Sequence, residues 1–425
     1  MTTLVFTVSL LGAMAFGVPV AIALLVSAAA LMVSQGQIDT TILAQKLIEG
    51  ADSFPLLAIP FFILAGELMN TGGLSKRIVD FALAWVGHIR GGLGLVAIFA
   101  TVVMSAISGS AAADTAAVAT LLIPMMRRAG YDVPRSSGLI AAAGVLGPVI
   151  PPSIAMIVFG VIANVSIGKL LLAGVFPGLM IAFALVIAWL WVVRKDKVQA
   201  LPRQPLAQRL RAGVDGVWAL LMPLGIIGGL KFGIFTPTEA GVAACVYAFV
   251  IGAFVYRELP FKAVYGLFVS AAKTTAVVVF MIAAALVSAF LITTSEVPQQ
   301  VAAMLQPFID RPILLMAVIM LLIVVIGTAL DFAPTLMILT PVLMPVIKQA
   351  GIDPVYFGVL FIINNSIGLI TPPVGIVLNV VCGISKISMG ELMKGLWPFL
   401  IAELIVLFLL VLFPALVMVP LRWLT

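Results

Sequence analysis

Gly147-Pro-Val-Ile-Pro-Pro-Ser153 and Gly368-Leu-Ile-Thr-Pro-Pro-Val-Gly375 are the two stretches that decide how this chain folds. Each lies inside an apolar run long enough for a helix, 136–166 and 355–385. A proline removes a backbone donor and its ring clashes with the preceding turn, so paired prolines unwind a helix instead of bending it. The surrounding composition says what solvent those helices meet. Of 425 residues, 63% are hydrophobic and 9% charged, and the mean hydropathy is +1.27. A soluble domain carries roughly 25% charged residues, so this chain is an integral membrane protein. Its apolar runs suit helices of the ~20 residues that a crossing needs, and a barrel of alternating ~10-residue strands is excluded. In hydrocarbon, unwound backbone is tolerated only where protein or a wet cavity satisfies it. Each interrupted segment therefore reads as two half-helices meeting within the membrane.

A second unusual segment precedes each broken helix. Residues 93–126 contain one charge, Asp114, and residues 312–347 contain one, Asp331. Either run as a single helix would be about 50 Å long, against a hydrocarbon core of ~30 Å. Breaks at Ser108-Gly109-Ser110 and from Gly327-Thr328 to Pro334 predict helical hairpins that enter and leave on one side. A tight pair of short spanning helices is the alternative. Adding 221 carries Ala129-Gly130 and Asp132 onto Ala350-Gly351 and Asp353, Pro124 onto Pro345, Gly147 onto Gly368, and Pro151-Pro152 onto Pro372-Pro373. One register across hairpin and broken helix makes the two segments structural repeats.

Charge sets their orientation. The loop 194–211 carries Arg194, Lys195, Lys197, Arg203, Arg209 and Arg211 against Asp196 alone, which places it in the cytoplasm by the positive-inside rule. Lys76, Arg77, Arg90, Arg127, Arg128 and Arg135 then put the open end of the first hairpin on the same side, as Arg257, Lys262 and Lys273 do for 257–273. The second hairpin, flanked by Glu296, Asp310, Arg311 and Lys348, opens to the other side, so the repeats are inverted. The predicted fold is an all-α polytopic membrane protein with inverted repeats, each a re-entrant helical hairpin and a broken transmembrane helix. Residues 1–92 supply N-terminal helices with one crossing at 3–33 and another at 54–69. Repeat one spans 93–193, ending in a helix at 168–193; 194–311 holds the basic loop and crossings at 214–232, 236–256 and 272–293. Repeat two fills 312–425 with a C-terminal helix at 396–421, leaving the N-terminus inside and the C-terminus outside.

Several chemistries lack their residues. The net charge of +6 is loop charge that sets orientation, not a nucleic-acid footprint. Cys245 and Cys382 lie far apart in apolar runs and imply no disulfide, and MTTLVF lacks the basic start of a cleaved leader. Gly168-Lys169 is not a phosphate loop, so direct ATP use is not expected. The one histidine, His88, sits in the polar stretch 70–92 as a surface residue, and no HExxH or Cys/His cluster offers a transition-metal site. Transport driven by an ion gradient is what remains.

Inverted repeats with broken helices and midplane sites recur in secondary transporters. Unwound carbonyls suit a hard cation such as Na⁺, and half-helix N-termini starting near Pro151 and Pro372 favour an anionic group. Ser108, Ser110 and Ser153, and Thr328, Asn364, Asn365, Ser366 and Thr371, cluster at that depth. Small polar residues that only let helices pack are the plain alternative. Asp331 is a candidate cation ligand, proton carrier or cap, whereas Asp114 fixes its hairpin tip. Glu67 and Asn70 are interfacial, and Glu239 after Thr236-Pro-Thr238 is an N-terminal helix acid.

Ser108-Gly-Ser-Ala-Ala-Ala-Asp-Thr115, Ala129-Gly-Tyr-Asp132, the 147–153 break, Phe54-Pro-Leu-Leu-Ala-Ile-Pro-Phe-Phe62 and Gly73-Leu-Ser-Lys76 together resemble the large permease subunit of TRAP (tripartite ATP-independent periplasmic) transporters. The resemblance runs to the end of the chain. It implies a Na⁺-driven importer of an organic acid (C4-dicarboxylate, keto- or sugar-acid) in the bacterial inner membrane. It also implies a periplasmic binding protein, a separate small four-helix membrane subunit, and elevator movement against a scaffold. Carried onto this sequence, one sodium site draws on Ser108, Gly109 and Ser110 with Gly144, Gly147 and Pro148; the other draws on Gly327, Thr328 and Asp331 with Asn365, Ser366, Gly368 and Thr371. Substrate would meet Ser110, Ser153, Asn364 and Asn365. A single-component sodium–carboxylate symporter is the runner-up. An intramembrane enzyme would have only Asp114 and Asp331 to work with, and a channel makes poor use of paired interruptions.

Overall fold

A computed structural model describes the chain except for residues 1, 37, 38, 195–197, 199, 296, 331, 373 and 374. The described residues form helices and no strands. The first group is α1 (Thr2–Ala15), α2 (Val20–Ser34), α3 (Thr40–Ala51), α4 (Ala58–Thr71) and α5 (Leu74–Val86). Repeat one follows as α6 (Gly92–Ser108), α7 (Ala111–Arg128), α8 (Val133–Ala143), α9 (Ile154–Ala163) and α10 (Ile167–Val193). Then come α11 (Leu206–Lys231), α12 (Pro237–Val250), α13 (Phe261–Thr294) and α14 (Val297–Ile309). Repeat two is α15 (Pro312–Ala329), α16 (Phe332–Gln349), α17 (Pro354–Gly368), α18 (Ile376–Ser385) and α19 (Met389–Leu412), with α20 (Ala415–Leu424) last. Among the described residues seven helices are long and apolar enough to cross a membrane.

The repeat is legible helix by helix. A shift of 221 carries α7 onto the residues of α16, and the start of α8 onto the start of α17. The same local chemistry starts both broken helices. Gly130 and Gly351 take left-handed φ values of +79° and +69°. Asp132 and Asp353 then cap, accepting from the backbone nitrogens of Arg135 and Val355 at 2.9 and 2.7 Å. Pro134 and Pro354 stand in the first turn, where no N–H is needed.

Packing is exchanged between the repeats as a two-fold relation requires. Helix α7 packs on α18 while α16 packs on α9, and α8 packs on α19 while α17 packs on α10. Helix α19 also shows that the repeats are inverted. Near its start, a Cβ on Gly138 of α8 would lie 2.6 Å from the carbonyl carbon of Gly395. Near its other end, Tyr356 at the start of α17 donates to the carbonyl of Leu410 at 2.9 Å. Fifteen residues of helix separate those points by about 22 Å, so the two broken helices set out from opposite faces. The other helices pack largely on one another, α4 on α12, α11 on α5, and α13 on α2, α3 and α4; α13 also reaches α9 and α16.

Several boundaries differ from expectation. The run 3–33 is two helices in contact, because Gly17 adopts φ +77° and Pro19 cannot continue a helix. Likewise 396–421 divides at Phe413–Pro414, and α19 begins at Met389 behind a capping box of Ser388 and Glu391. Helices α11 and α13 start well before 214 and 272, and α14 fills a segment outside the apolar runs. The polar stretch 70–92 contains α5, and His88 is half-buried. The acid expected to start a helix does so: Thr236 and Glu239 form a capping box on α12. At the end of α12, Arg77 pairs with Glu258 at 2.9 Å, and its guanidinium holds that carboxyl below the usual glutamate range.

Candidate functional site

Each hairpin tip is docked against the interruption of the broken helix in its own repeat. Gly109 ends α6 with φ +61°, and a Cβ there would stand 2.7 Å from the Pro152 carbonyl oxygen. Facing it, a Cβ on Gly147 would lie 2.7 Å from the Ala111 nitrogen. In repeat two a Cβ on Gly368 would lie 3.0 Å from the Gly327 carbonyl oxygen. Glycine is needed at these points because main chain touches main chain. Since α8 and α9 together make one crossing interrupted at its middle, a tip seated on that interruption reaches only half the depth. The hairpins are re-entrant on that geometry.

The interruptions are built from tightened turns. Helix α8 passes into a 3-10 turn over Gly144–Leu146, and the nitrogens of Val149 and Ile150 both donate to Leu146. The Pro151–Pro152 peptide is cis. Ser153 caps α9 by accepting from the Met156 nitrogen at 3.3 Å and donates its own hydroxyl to the Pro148 carbonyl. In repeat two Leu369, Ile370 and Thr371 donate to carbonyls three residues back, and Val377 donates across the break to Leu369 at 3.2 Å. Gly375, at φ +43°, starts α18.

Behind each tip sit buried oxygens. Ser108 donates to Asp114 Oδ1 at 2.6 Å and accepts from the Ser110 nitrogen at 3.1 Å. Asp114 is fully buried, and neither its Oδ2 nor the neighbouring Thr115 hydroxyl has a hydrogen-bond partner among the described residues. Gly144 faces Thr115 so closely that a Cβ would collide with its Oγ1. In repeat two Asn365 donates to the Phe332 carbonyl at 2.7 Å, tying the break to the returning arm. Its Oδ1 is unpartnered and lies 3.8 Å from where a Cβ on Gly327 would be. Ser366 and Thr371 donate to Ile362 and Ile367, leaving their oxygens free to accept. All of these are oxygen donors, the set a hard cation takes. No group of three His, Cys, Asp or Glu suited to a transition metal occurs among the described residues.

Between the two tips lies a cavity of about 270 Å³ that neither repeat could form alone. Its wall includes Ser110, Pro148, Ile154, Phe332, Leu369 and Ile376, with Met281 of α13 closing one side. The starts of α7, α9, α16 and α18 all line it. Each helix start presents unsatisfied N–H groups and the equivalent of about half a positive charge. Among the described residues Ser110 supplies the cavity's only polar side chain and no Lys or Arg lines it, so these residues would hold an anion by main-chain donors.

The expected site residues are thus sorted by position. Ser108, Gly109, Ser110, Gly144, Gly147 and Pro148 come together at the first tip, and Gly327, Asn365 and Gly368 at the second. Ser110 lines the cavity, whereas Ser153, Asn364 and Asn365 do not. Asn364 instead donates to the Met320 carbonyl on α15 at 2.6 Å. Thr328 turns back to the Val325 carbonyl of its own helix at 2.7 Å, and Asp331 lies outside the described residues. Two groups escaped the sequence reading. Thr115 was hidden beside Asp114. Glu403, fully buried in α19 with neither carboxylate oxygen partnered among the described residues, was a lone acid in an apolar run and carried the same signal as Asp114 and Asp331.

Comparison with known proteins places this architecture. The chain is 52% identical, over the full length of both, to a putative TRAP transporter large permease protein of Haemophilus influenzae. It is 50% identical, again over both full lengths, to the 2,3-diketo-L-gulonate TRAP transporter large permease protein of Escherichia coli. The Alcanivorax borkumensis YdaH transporter, of unusual topology, shares the fold at 15% identity, with a TM-score of 0.66 over 88% of each chain. The model of the tripartite ATP-independent periplasmic transporter DctM component matches residues 7–416. The chain therefore belongs to the DctM family, the large permease proteins of TRAP transporters.

Proposed function

We propose that this chain is the large subunit of a Na⁺-coupled importer of an organic acid in the bacterial inner membrane, moving by elevator-type alternating access. The observation that carries the proposal is the cavity itself: four helix starts converge on it, and behind the tips that build it lie buried oxygens without partners. Sodium at the first tip would draw on Asp114, Thr115 and the carbonyls of the Gly144–Pro148 turn. At the second it would draw on Asn365, Thr371 and the Gly327 carbonyl. A bound cation would supply positive charge and hold the hairpin against the break, so that the helix starts are aligned for a carboxylate. The repeats with their hairpins would form the moving body, and the remaining helices, α13 foremost, the scaffold.

A keto or sugar acid is the favoured substrate class, on the likeness to the diketogulonate permease and on a lining that is mostly apolar with main-chain donors. A separate small four-helix membrane subunit and a periplasmic binding protein complete the proposed system. The test is reconstitution in liposomes with the small subunit, an inward Na⁺ gradient and labelled 2,3-diketogulonate. Uptake is expected only with the binding protein and with sodium. Uptake of free acid by the chain without any soluble component would instead identify a single-component symporter.

A further inference from the structure

Beside the cavity between the tips lies a second, wider crevice of about 610 Å³, and the same three helices line both. On α9, Ile154 and Val158 face the cavity and Ile162 the crevice; on α16, Met337 faces the cavity while Pro341 and Lys348 face the crevice. Helix α13 lines both as well. Spacings of three and four residues keep such positions on one helix face, so the two spaces lie end to end along shared helix faces, the course a corridor would take. It leads towards the face on which the second hairpin opens, because α16 runs from the tip at Phe332 to that open end.

The mouth of the corridor is charged. Lys46 and Glu49 of α3 stand on one side, joined at 2.6 Å, with the Lys46 ammonium 5.2 Å above the Phe290 ring. That pair is neutral. Lys348, exposed in the last turn of α16, makes no ion pair among the described residues and leaves the described lining of the mouth with one net positive charge. We propose that this corridor is the route by which an anion reaches the cavity, and that Lys348 is the positioning residue that selects anions at its mouth. The assignment rests on the anion-binding reading of the cavity.

The experiment needs no substrate. Ala289 of α13 lines the crevice. An Ala289→Cys variant is labelled in intact cells with impermeant methanethiosulfonates, one carrying a sulfonate and one a trimethylammonium. Each rate is divided by that of the same reagent with a small free thiol, because a thiolate itself prefers the cation, and is corrected for the unmutated chain, whose Cys245 and Cys382 are half-buried. One unit charge ~7 Å away in water changes a local concentration about threefold for each sign, so the sulfonate should react roughly tenfold faster than the cation. The ratio should fall to about one in Lys348→Gln, invert in Lys348→Glu, persist in Lys348→Arg and shrink in high salt. Equal rates in the parent, a ratio indifferent to Lys348→Gln and Lys348→Glu, or labelling only after permeabilisation would overturn the proposal. A chain that shows the preference yet imports no acid supports the corridor and counts against the proposed function alone.

Discussion

Alanine at position 147 is the smallest change that separates a hairpin tip from its break. The new Cβ would stand 2.7 Å from the Ala111 nitrogen, 2.9 Å from its Cα and 3.0 Å from the Ser110 carbonyl carbon. Ordinary contact begins at 3.4 Å, so the main chain must part by about 0.7 Å. All three neighbours are backbone, and no rotamer change relieves the overlap. Overpacking of this kind costs about 1–3 kcal/mol. A site whose groups must be held within about 0.5 Å would also lose its geometry. Gly147→Ala should therefore insert and fold but lose the first tip's share of the response to sodium. The assay is thermal unfolding of purified protein in Na⁺ against choline. Sodium at ten times its Kd stabilises by about 1.4 kcal/mol per site, and the first tip's share of that shift should vanish in the variant while the second tip's remains, with uptake down at least ~10-fold. Gly266→Ala is the control, since a Cβ on Gly266 in α13 meets nothing within 4 Å; it should keep the sodium shift and gain up to ~1 kcal/mol of helix stability. A Gly147→Ala protein with an intact sodium shift would refute the reasoning.

Ser108→Ala removes the 2.6 Å donor to Asp114 Oδ1 and leaves a buried carboxyl short of its closest partner, at an expected ~1–3 kcal/mol of stability; an unchanged unfolding temperature would contradict this. Asn365→Leu keeps the bulk but removes the amide that donates to the Phe332 carbonyl, so the second tip should loosen, read as faster proteolysis at 327–335 and weaker sodium dependence of uptake. Equal protection of variant and parent in that digest would show that the amide does not hold the tip. Glu403→Met replaces a fully buried, unpartnered carboxyl with a side chain of similar volume, and should leave stability unchanged or raise it by ~1–3 kcal/mol. A lower unfolding temperature would mean that the acid has a partner worth keeping.

The sequence exposed the repeats because glycine and proline are punctuation in a chain that is otherwise nearly uniform. Gly147, Pro151, Gly368 and Pro372 mark positions where regular helix is impossible, and the shift of 221 falls out of them. The same reasoning divides 3–33 at Gly17-Val18-Pro19 and 396–421 at Phe413-Pro414, which a search for long apolar runs passes over. Helices α3, α5 and α14 were invisible to a search for long apolar runs because they are short. The site was legible in outline, down to Ser110 at the cavity. Its side-chain directions were not. Asn364 and Asn365 are neighbours in sequence, yet about 100° of helical turn sends one amide to α15 and the other to the start of α16. That two further helix starts, those of α7 and α16, join the two at the breaks depends on how the repeats interlock, which no local pattern encodes.

The central claim, that the two tip-and-break junctions hold sodium so that the cavity between them can hold an anion, is tested most directly by paired cryo-electron microscopy maps in Na⁺ and in choline. The account predicts compact non-protein density, in sodium only, beside the 144–148 turn at Asp114 and beside Asn365 at the second tip. Maps that are identical at both junctions, or that show ordered density at neither with the tips equally docked, would contradict it.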